Sequence, residues 1–312
     1  MKTEKVTLQI SLSPSDYRHV KYLLSHQISA LKNQVDEILL TYDVHKSKGR
    51  FSIDWEKNNI DMWDFLKNLA KTHKKINLIK VDYDIEKNKE IANSFFGRNS
   101  IPQKDWRGGP FYTYFFGIHA AKYDFVFHLD SDIFLGGLSE SWIEEAIHLY
   151  KNDEKILFIN PLAGPPKHDG TLIGQEYMPY SKSLYHYKFN SMSTRIFLVD
   201  KKRLSRYTFK KIRTFKIGEL FRALYKGNPP YILPEEFISQ NMINNKQYRV
   251  DFKGNAPGLW SLHPPYRTDS FYANLPELIK KIENGDVPES QKGYYDIVDE
   301  LVDWSEAKAK LK

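Results

Sequence analysis

At 312 residues with 41% hydrophobic side chains, the chain can bury a full core, as one large α/β domain or two smaller ones. It has no cysteine, which excludes disulfides and thiolate metal sites, and no stretch is long and apolar enough to cross a bilayer. Met1 to Ile10 is charged with only a short apolar run, so no secretory signal is read there and the expected setting is cytoplasmic.

Taken in order, strands and helices alternate. Lys5 to Leu12 alternates into a first strand, Ser13-Pro14-Ser15-Asp16 supplies turn and cap chemistry, and Tyr17 to Leu31 has helical apolar spacing. Val35 to Tyr42 predicts a second strand ending at Asp43, Ile60 to Thr72 a helix, and Ile76 to Val81 a third strand. Ser94 to Pro110 carries Gly97, Pro102, Gly108 and Gly109 and reads as a long functional loop, after which Phe111 to Lys122 is helical. Phe125 to Leu129 is then an apolar run that ends in Asp130-Ser131-Asp132, with Gly136-Gly137 close behind. This spacing is that of a parallel sheet with right-handed crossovers.

Past the acids, Leu138 to Lys151 predicts a helix with Ser139 as cap, and Ile156 to Ile159 a short buried strand. Asn160 to Ser183 is rich in Gly and Pro and too long to be a mere connection, so it is expected to cover a ligand. Phe189 to Val199 reads as one strand, Pro234 to Asn244 as a helix opening with Glu235 and Glu236, Tyr248 to Phe252 as a last strand, and Tyr294 to Lys308 as a terminal helix.

The net charge of +7 is concentrated. Lys201 to Lys226 holds ten Lys or Arg against one acid, Glu219, more than the net charge of the whole chain. Phe209, Ile212, Ile217, Leu220, Phe221 and Leu224 recur there near helical spacing, which predicts a helical region with one apolar and one basic face, interrupted at Gly218. Such a region is either an ordinary solvated helix or a face for an anionic membrane, an acidic acceptor or nucleic acid.

An apolar strand emptying into two carboxylates one residue apart marks the end of an α/β sheet where ligands bind. Asp130 and Asp132 are either solvated turn residues or partners of one hard cation that in turn holds a diphosphate. The stretch Gly117-Ile-His-Ala-Ala121 through Asp130-Ser131-Asp132 resembles the nucleotide-sugar glycosyltransferases of the GT-A fold, the family-2-like group in particular. That resemblance, which covers roughly residues 5–245, implies a Rossmann-like, mixed but mostly parallel sheet flanked by helices. It further implies a glycosyltransferase domain over 1–255, with a nucleotide-sugar half to about 135 and an acceptor half after it, and a C-terminal extension over 256–312 that packs on the active site.

The same resemblance implies the chemistry. A sugar would pass from a nucleoside-diphosphate donor, UDP- first and GDP- or dTDP- as alternatives, to a sugar or lipid-linked acceptor. Asp132 would bind Mn²⁺ or Mg²⁺ directly, Asp130 would hold the ribose and reach the metal through water, and Asp43 would contact the nucleobase. His263, in the segment Trp260-Ser-Leu-His263-Pro-Pro-Tyr266, would complete the metal site. Glu236 or Glu235 would take the acceptor proton in an inverting reaction. Where the family has Ala-Arg-Asn before the Gly-Ile pair, this chain has Thr113-Tyr114-Phe115, so a diphosphate-facing Arg is missing and Arg107 or Arg98 is the expected substitute. Three other readings compete: a haloacid-dehalogenase-like phosphatase using the same Asp-x-Asp pair; a sugar nucleotidyltransferase, for which no Gly-rich phosphate loop follows the first strand; and a non-enzymatic protein binding membrane or nucleic acid through 201–226. In the glycosyltransferase reading that patch is a peripheral membrane contact on the inner face and no nucleic acid is expected.

Overall fold

The computed structural model describes residues 4–46, 53–207, 209, 212–213 and 216–310. In chain order the elements are β1 (Val6–Leu12), α1 (Tyr17–Leu31), β2 (Glu37–Tyr42), α2 (Trp55–Thr72), β3 (Ile76–Lys80), α3 (Ile85–Phe96), α4 (Tyr112–Ala120), β4 (Phe125–Asp130), β5 (Phe134–Gly136), α5 (Trp142–Asn152) and β6 (Ile156–Ala163). They continue with β7 (Met178–Pro179), β8 (His186–Phe189), β9 (Ile196–Asp200), α6 (Lys201–Ser205), α7 (Ile217–Lys226), α8 (Pro234–Asn244), β10 (Tyr248–Phe252), β11 (Trp260–Leu262), α9 (Asp269–Glu283) and α10 (Ser305–Ala309).

The main sheet runs β3-β2-β1-β4-β9-β6-β10-β8-β7. Its first four strands are parallel, β9 inserts antiparallel between β4 and β6, and β10 is again parallel to β6. This is the mixed, mostly parallel sheet flanked by helices that the resemblance implies. Helices cover both faces. One face buries Leu8, Ile10, Leu40, Phe127 and Trp142 among others, and the opposite face buries Phe95, Phe96, Phe111, Phe115 and Phe237 in a cluster of mutually packed rings. A third cluster gathers Phe134, Trp260, Leu262, Phe271 and Trp304, and so joins the C-terminal residues to the end of the sheet.

Several expectations shift. The single strand expected over 189–199 is two, β8 and β9, parted by residues 190–195. Helix α3 was not anticipated, because only its second half has apolar residues to bury, Ile91, Ala92, Phe95 and Phe96; Asp84 caps it by accepting from the Glu86 N–H at 2.9 Å. The terminal helix expected over 294–308 shrinks to α10, because non-local partners claim its backbone. Gln291, wholly buried, donates to the carbonyls of Tyr294 and Asp296 and accepts from the Val298 N–H, while Ile297 N–H donates to the His263 carbonyl. The long helix of this region is instead α9, which buries Phe271, Leu275, Leu278 and Ile282 and is capped by Thr268. Helix α5 starts at Trp142 behind Ser141, not behind Ser139.

β11 ties the C-terminal residues to the sheet by pairing antiparallel with β5 and parallel with β6. Gly136 on β5 lets this happen, since a Cβ there would run into the Trp260 ring. Gly136→Ala should therefore overpack this junction at a cost of about 1–3 kcal/mol and lower the melting temperature by several degrees. Gly218→Ala, on α7 with nothing within 4 Å of the added carbon, should not. Thermal unfolding of the two variants checks both.

Candidate active site

The carboxyl ends of β1, β2 and β4, the loop 103–110 and the start of α4 enclose a cleft of about 440 Å³. Asp43, Asp130, Asp132 and His263 all line it, so four of the residues picked from sequence meet in one place.

Asp130 ends β4, and its Oδ1 lies 3.3 Å from Nε2 of His128 on the same strand. The other nitrogen of that buried imidazole bonds to Gln9 Oε1 on β1, and Gln9 Nε2 donates to Thr41 Oγ1 on β2 at 2.8 Å. A line of buried polar groups thus crosses three strands and stops at Asp130. Burial pushes the Asp130 carboxyl above its usual range, and His128 opposes that shift.

Asp132 is buried, and burial alone would raise its pKa too. The Arg267 guanidinium, with His263 and His19, overcomes this and holds the carboxyl well below the usual carboxylate range. Arg267 Nη2 donates to Asp132 Oδ2 at 2.6 Å and Nη1 to Asp16 Oδ1 at 3.3 Å, bridging the loop after β1 to the turn after β4. Between the two acids, Ser131 Oγ lies 3.0 Å from His19 Nε2. Gln27 fixes the turn itself by donating to the Asp130 and Ile133 carbonyls.

Asp43 sits at the end of β2, where burial raises its pKa; the His45 N–H, the Tyr83 hydroxyl and Lys104 oppose that. Arg107 is not among the cleft-lining residues. Its side chain lies near the Trp106 ring, while its neighbours Lys104, Gly108 and Gly109 form the wall, and Arg98 is not in the wall either. The cleft's guanidiniums are Arg195 and Arg267, which sequence reading did not single out. Arg195 was hidden inside what reads as one strand over 189–199, and Arg267, beyond the two prolines, had no signal. Tyr114, in the place of the missing Arg, lines the cleft with Thr113.

Glu235 and Glu236 open α8 and lie outside the cleft wall. Glu235 Oε1 accepts from the Thr194 N–H and hydroxyl at 3.2 and 3.0 Å, next to Arg195, whereas Glu236 faces Lys216 at 3.7 Å.

Among the described residues no three His, Asp or Glu side chains form a ready metal cluster. Two donors do fit one. His263 Nδ1 lies 3.1 Å from Asp296 Oδ1, which leaves Nε2 facing Asp132 Oδ2 at 3.8 Å, the carboxylate-oriented imidazole arrangement of many metal sites. A Mg²⁺ or Mn²⁺ ion held by a phosphate-bearing ligand needs only one or two protein donors.

Neither a family model nor a curated protein matches the sequence. Solved structures are similar in outline. A galactosyltransferase, LgtC, in complex with donor and acceptor sugar analogs is 13% identical, with 91% of this chain and 98% of that chain covered at a TM-score of 0.41. The 4-diphosphocytidyl-2C-methyl-D-erythritol synthase of Anaerococcus prevotii is 11% identical over 89% and 99% at 0.40, and a UDP-glucose pyrophosphorylase complexed with UDP-glucose is 6% identical over 89% and 99% at 0.47. Likeness this loose assigns no role to any residue here.

His19 makes the site sensitive to acid. Burial, with the nearby Arg267 charge, lowers its pKa from 6.5 to about 4. Between these values the unfolded chain takes up a proton that the folded chain refuses, so stability falls as pH drops through that window, by up to about 3 kcal/mol. His19→Gln should lose less stability than the parent between about pH 7 and about pH 4.5, measured by urea unfolding.

Proposed function

We propose that the protein is a metal-dependent glycosyltransferase that moves a sugar from a nucleoside-diphosphate donor to an acceptor hydroxyl with inversion. The observation that carries this reading is the cleft at the carboxyl ends of parallel strands, where buried Asp132 and half-buried Asp130 are faced by Arg195 and Arg267. Carboxylates alone would repel a diphosphate. Guanidiniums among them, with room for a cation, make a place for one.

Asp132 and His263 would hold Mg²⁺ or Mn²⁺, with Asp130 reaching it through water. When bound, the ion neutralises the charge that builds on the departing diphosphate. Arg195 and Arg267 would bind the same phosphates, and Arg267 would orient Asp132 through its 2.6 Å hydrogen bond. Asp43 and the Tyr83 ring, both in the cleft wall, offer a carboxylate and a stacking face to the base, which we take to be uracil first and guanine or thymine next. A carboxylate from the Glu235–Glu236 pair would take the acceptor proton as the hydroxyl attacks the face opposite the leaving group. Glu235 is the better placed, since its oxygen is held beside Arg195 through Thr194.

The basic segment divides in two. Lys201 and Arg203 serve the fold: Lys201 donates to the Ala121 carbonyl, and Arg203 donates to the Tyr150, Asp153 and Ile156 carbonyls. Phe209 and Ile212 are buried, and Lys210 and Lys211 lie outside the described residues. Helix α7 differs, because only Ala223 is buried and four of its larger apolar residues point outward. Ile217, Phe221, Leu224 and Tyr225 are 71%, 69%, 77% and 92% exposed. Positions 217, 221, 224 and 225 share one face of a helix. With Arg222 and Lys226 exposed beside them, this face fits an anionic bilayer, where the apolar side chains enter the acyl boundary and each cation adds about 1 kcal/mol. An acceptor carried on that membrane would then be within reach. No helix among the described residues is long and apolar enough to span the bilayer.

Calorimetry with UDP-, GDP- and dTDP-sugars in the presence of Mn²⁺ tests the donor site. One donor should bind, and Asp132→Asn should weaken it by at least about tenfold; no binding to any of the three sinks the reading. Glu235→Gln should reduce turnover with little change in donor affinity, and NMR of the product should show inverted configuration.

Sedimentation with vesicles of phosphatidylcholine, with and without phosphatidylglycerol, tests helix α7. Binding should require the anionic lipid, fade with salt and disappear in Phe221→Asp/Leu224→Asp. Equal sedimentation of that variant and the parent refutes the membrane contact.

A further inference from the structure

Beyond the wall formed by His263 lies a second cavity of about 440 Å³ that the donor site does not use. Asn160 at the end of β6, Arg249 and Asp251 of β10, residues 173–176, and Tyr295 with Asp296 line it. Three buried polar atoms of these residues have no protein partner: Asn160 Oδ1, Gln175 Nε2 and the Tyr295 hydroxyl. Asn160 is only 3% exposed. Buried donors and acceptors are almost always paired, and leaving one dry is costly. An acceptor, a donor and a hydroxyl without protein partners, each on a residue that lines this cavity, suit a ligand with several hydroxyl groups.

The rest of the wall is rigid and acidic. Arg249 donates to both oxygens of Asp251, at 2.6 and 3.1 Å, and to the Ser191 carbonyl at 3.0 Å. Its charge is thereby consumed. Glu176 and Asp296 remain, so the lining is negative on balance and disfavours phosphate. The donor cleft differs in setting three cations, Lys104, Arg195 and Arg267, among its four aspartates. The two cavities meet at His263: Asp296 bonds its Nδ1 at 3.1 Å, and the Tyr295 ring stacks on it at 5.9 Å between centroids.

We infer that this cavity binds an uncharged or amino-bearing saccharide unit without phosphate, and that this unit is the end of the acceptor presented to the donor cleft. Only the word acceptor rests on the glycosyltransferase reading; the class of ligand follows from the cavity.

The test is ligand-observed saturation-transfer NMR on the full chain with methyl glucoside, N-acetylglucosamine, glucosamine and glucose 6-phosphate. At least one of the first three should bind, and glucose 6-phosphate should bind about fivefold more weakly or not at all. Tyr295→Phe removes a hydroxyl that has no partner to lose, so its melting temperature should stay the same or rise while sugar affinity falls about three- to tenfold. Gln175→Leu, in a partly exposed loop that does not support the core, should weaken the sugar similarly. Both variants should keep the parent's calorimetric affinity for UDP with Mn²⁺. Failure of all four sugars to bind, indifference of sugar binding to both substitutions, or preference for the phosphorylated sugar overturns the inference. Sugar binding that both substitutions weaken, in a protein that binds no nucleotide, keeps the cavity and removes the glycosyltransferase reading instead.

Discussion

Two carboxylates brought out of water at the end of an apolar strand must be neutralised, and much of the remaining chain is arranged to do it. Asp130 is met from within the sheet by His128. Asp132 is met by Arg267, 135 residues further along the chain. Delivering that guanidinium requires the C-terminal residues to be seated first: β11 locks into β5 and β6, Thr268 caps α9, and α9 packs its apolar face beside α1. Because Arg267 also holds Asp16, one cation secures the loops after β1 and β4 together. The residues after 255 are thus part of the site's electrostatics, whatever their folding autonomy.

The same requirement explains the sequence that precedes the acids. Helix α4 crosses β1 so closely that a Cβ on Gly117 would stand 2.6 Å from the Gln9 side chain. Gln9 is the middle of the polar line that runs from Thr41 to His128 and Asp130. A larger residue at 117 would press on that line, so the glycine on the helix and the aspartate at the strand end belong to one construction. The short motif is informative because it compresses a three-element packing arrangement into a few residues.

This also accounts for what could be read from the sequence and what could not. The strands β1 to β4, β6 and β10 were legible from local apolar pattern, and Asp130 and Asp132 from the strand end they adjoin, whereas Asp43 and His263 were singled out only through the family resemblance. The division of 189–199 into β8 and β9 was not, since a turn that carries Arg195 between two apolar runs looks like one interrupted strand. The irregular course of 294–304 was not legible either, because Gln291 and His263 claim backbone groups that helical periodicity would otherwise pair. Arg107 illustrates the limit from the other side. Proximity in sequence to the right loop does not determine which side of the loop a long side chain takes, and here the indole of Trp106 has it.

The irregular course of 294–304 is what brings Tyr295 and Asp296 against His263. On one side of that wall guanidiniums stand among acids; on the other stand carboxylates and neutral polar groups without protein partners. A regular helix through the same residues would satisfy its own backbone and present side chains at fixed angular steps. The observed segment instead forms a parallel bridge between His263 and Asp296, whose side chains meet at 3.1 Å. The cost is a set of backbone groups that must find partners outside a helix, and the wholly buried side chain of Gln291 bonds three of them. Secondary structure is given up where Tyr295 and Asp296 are brought against His263.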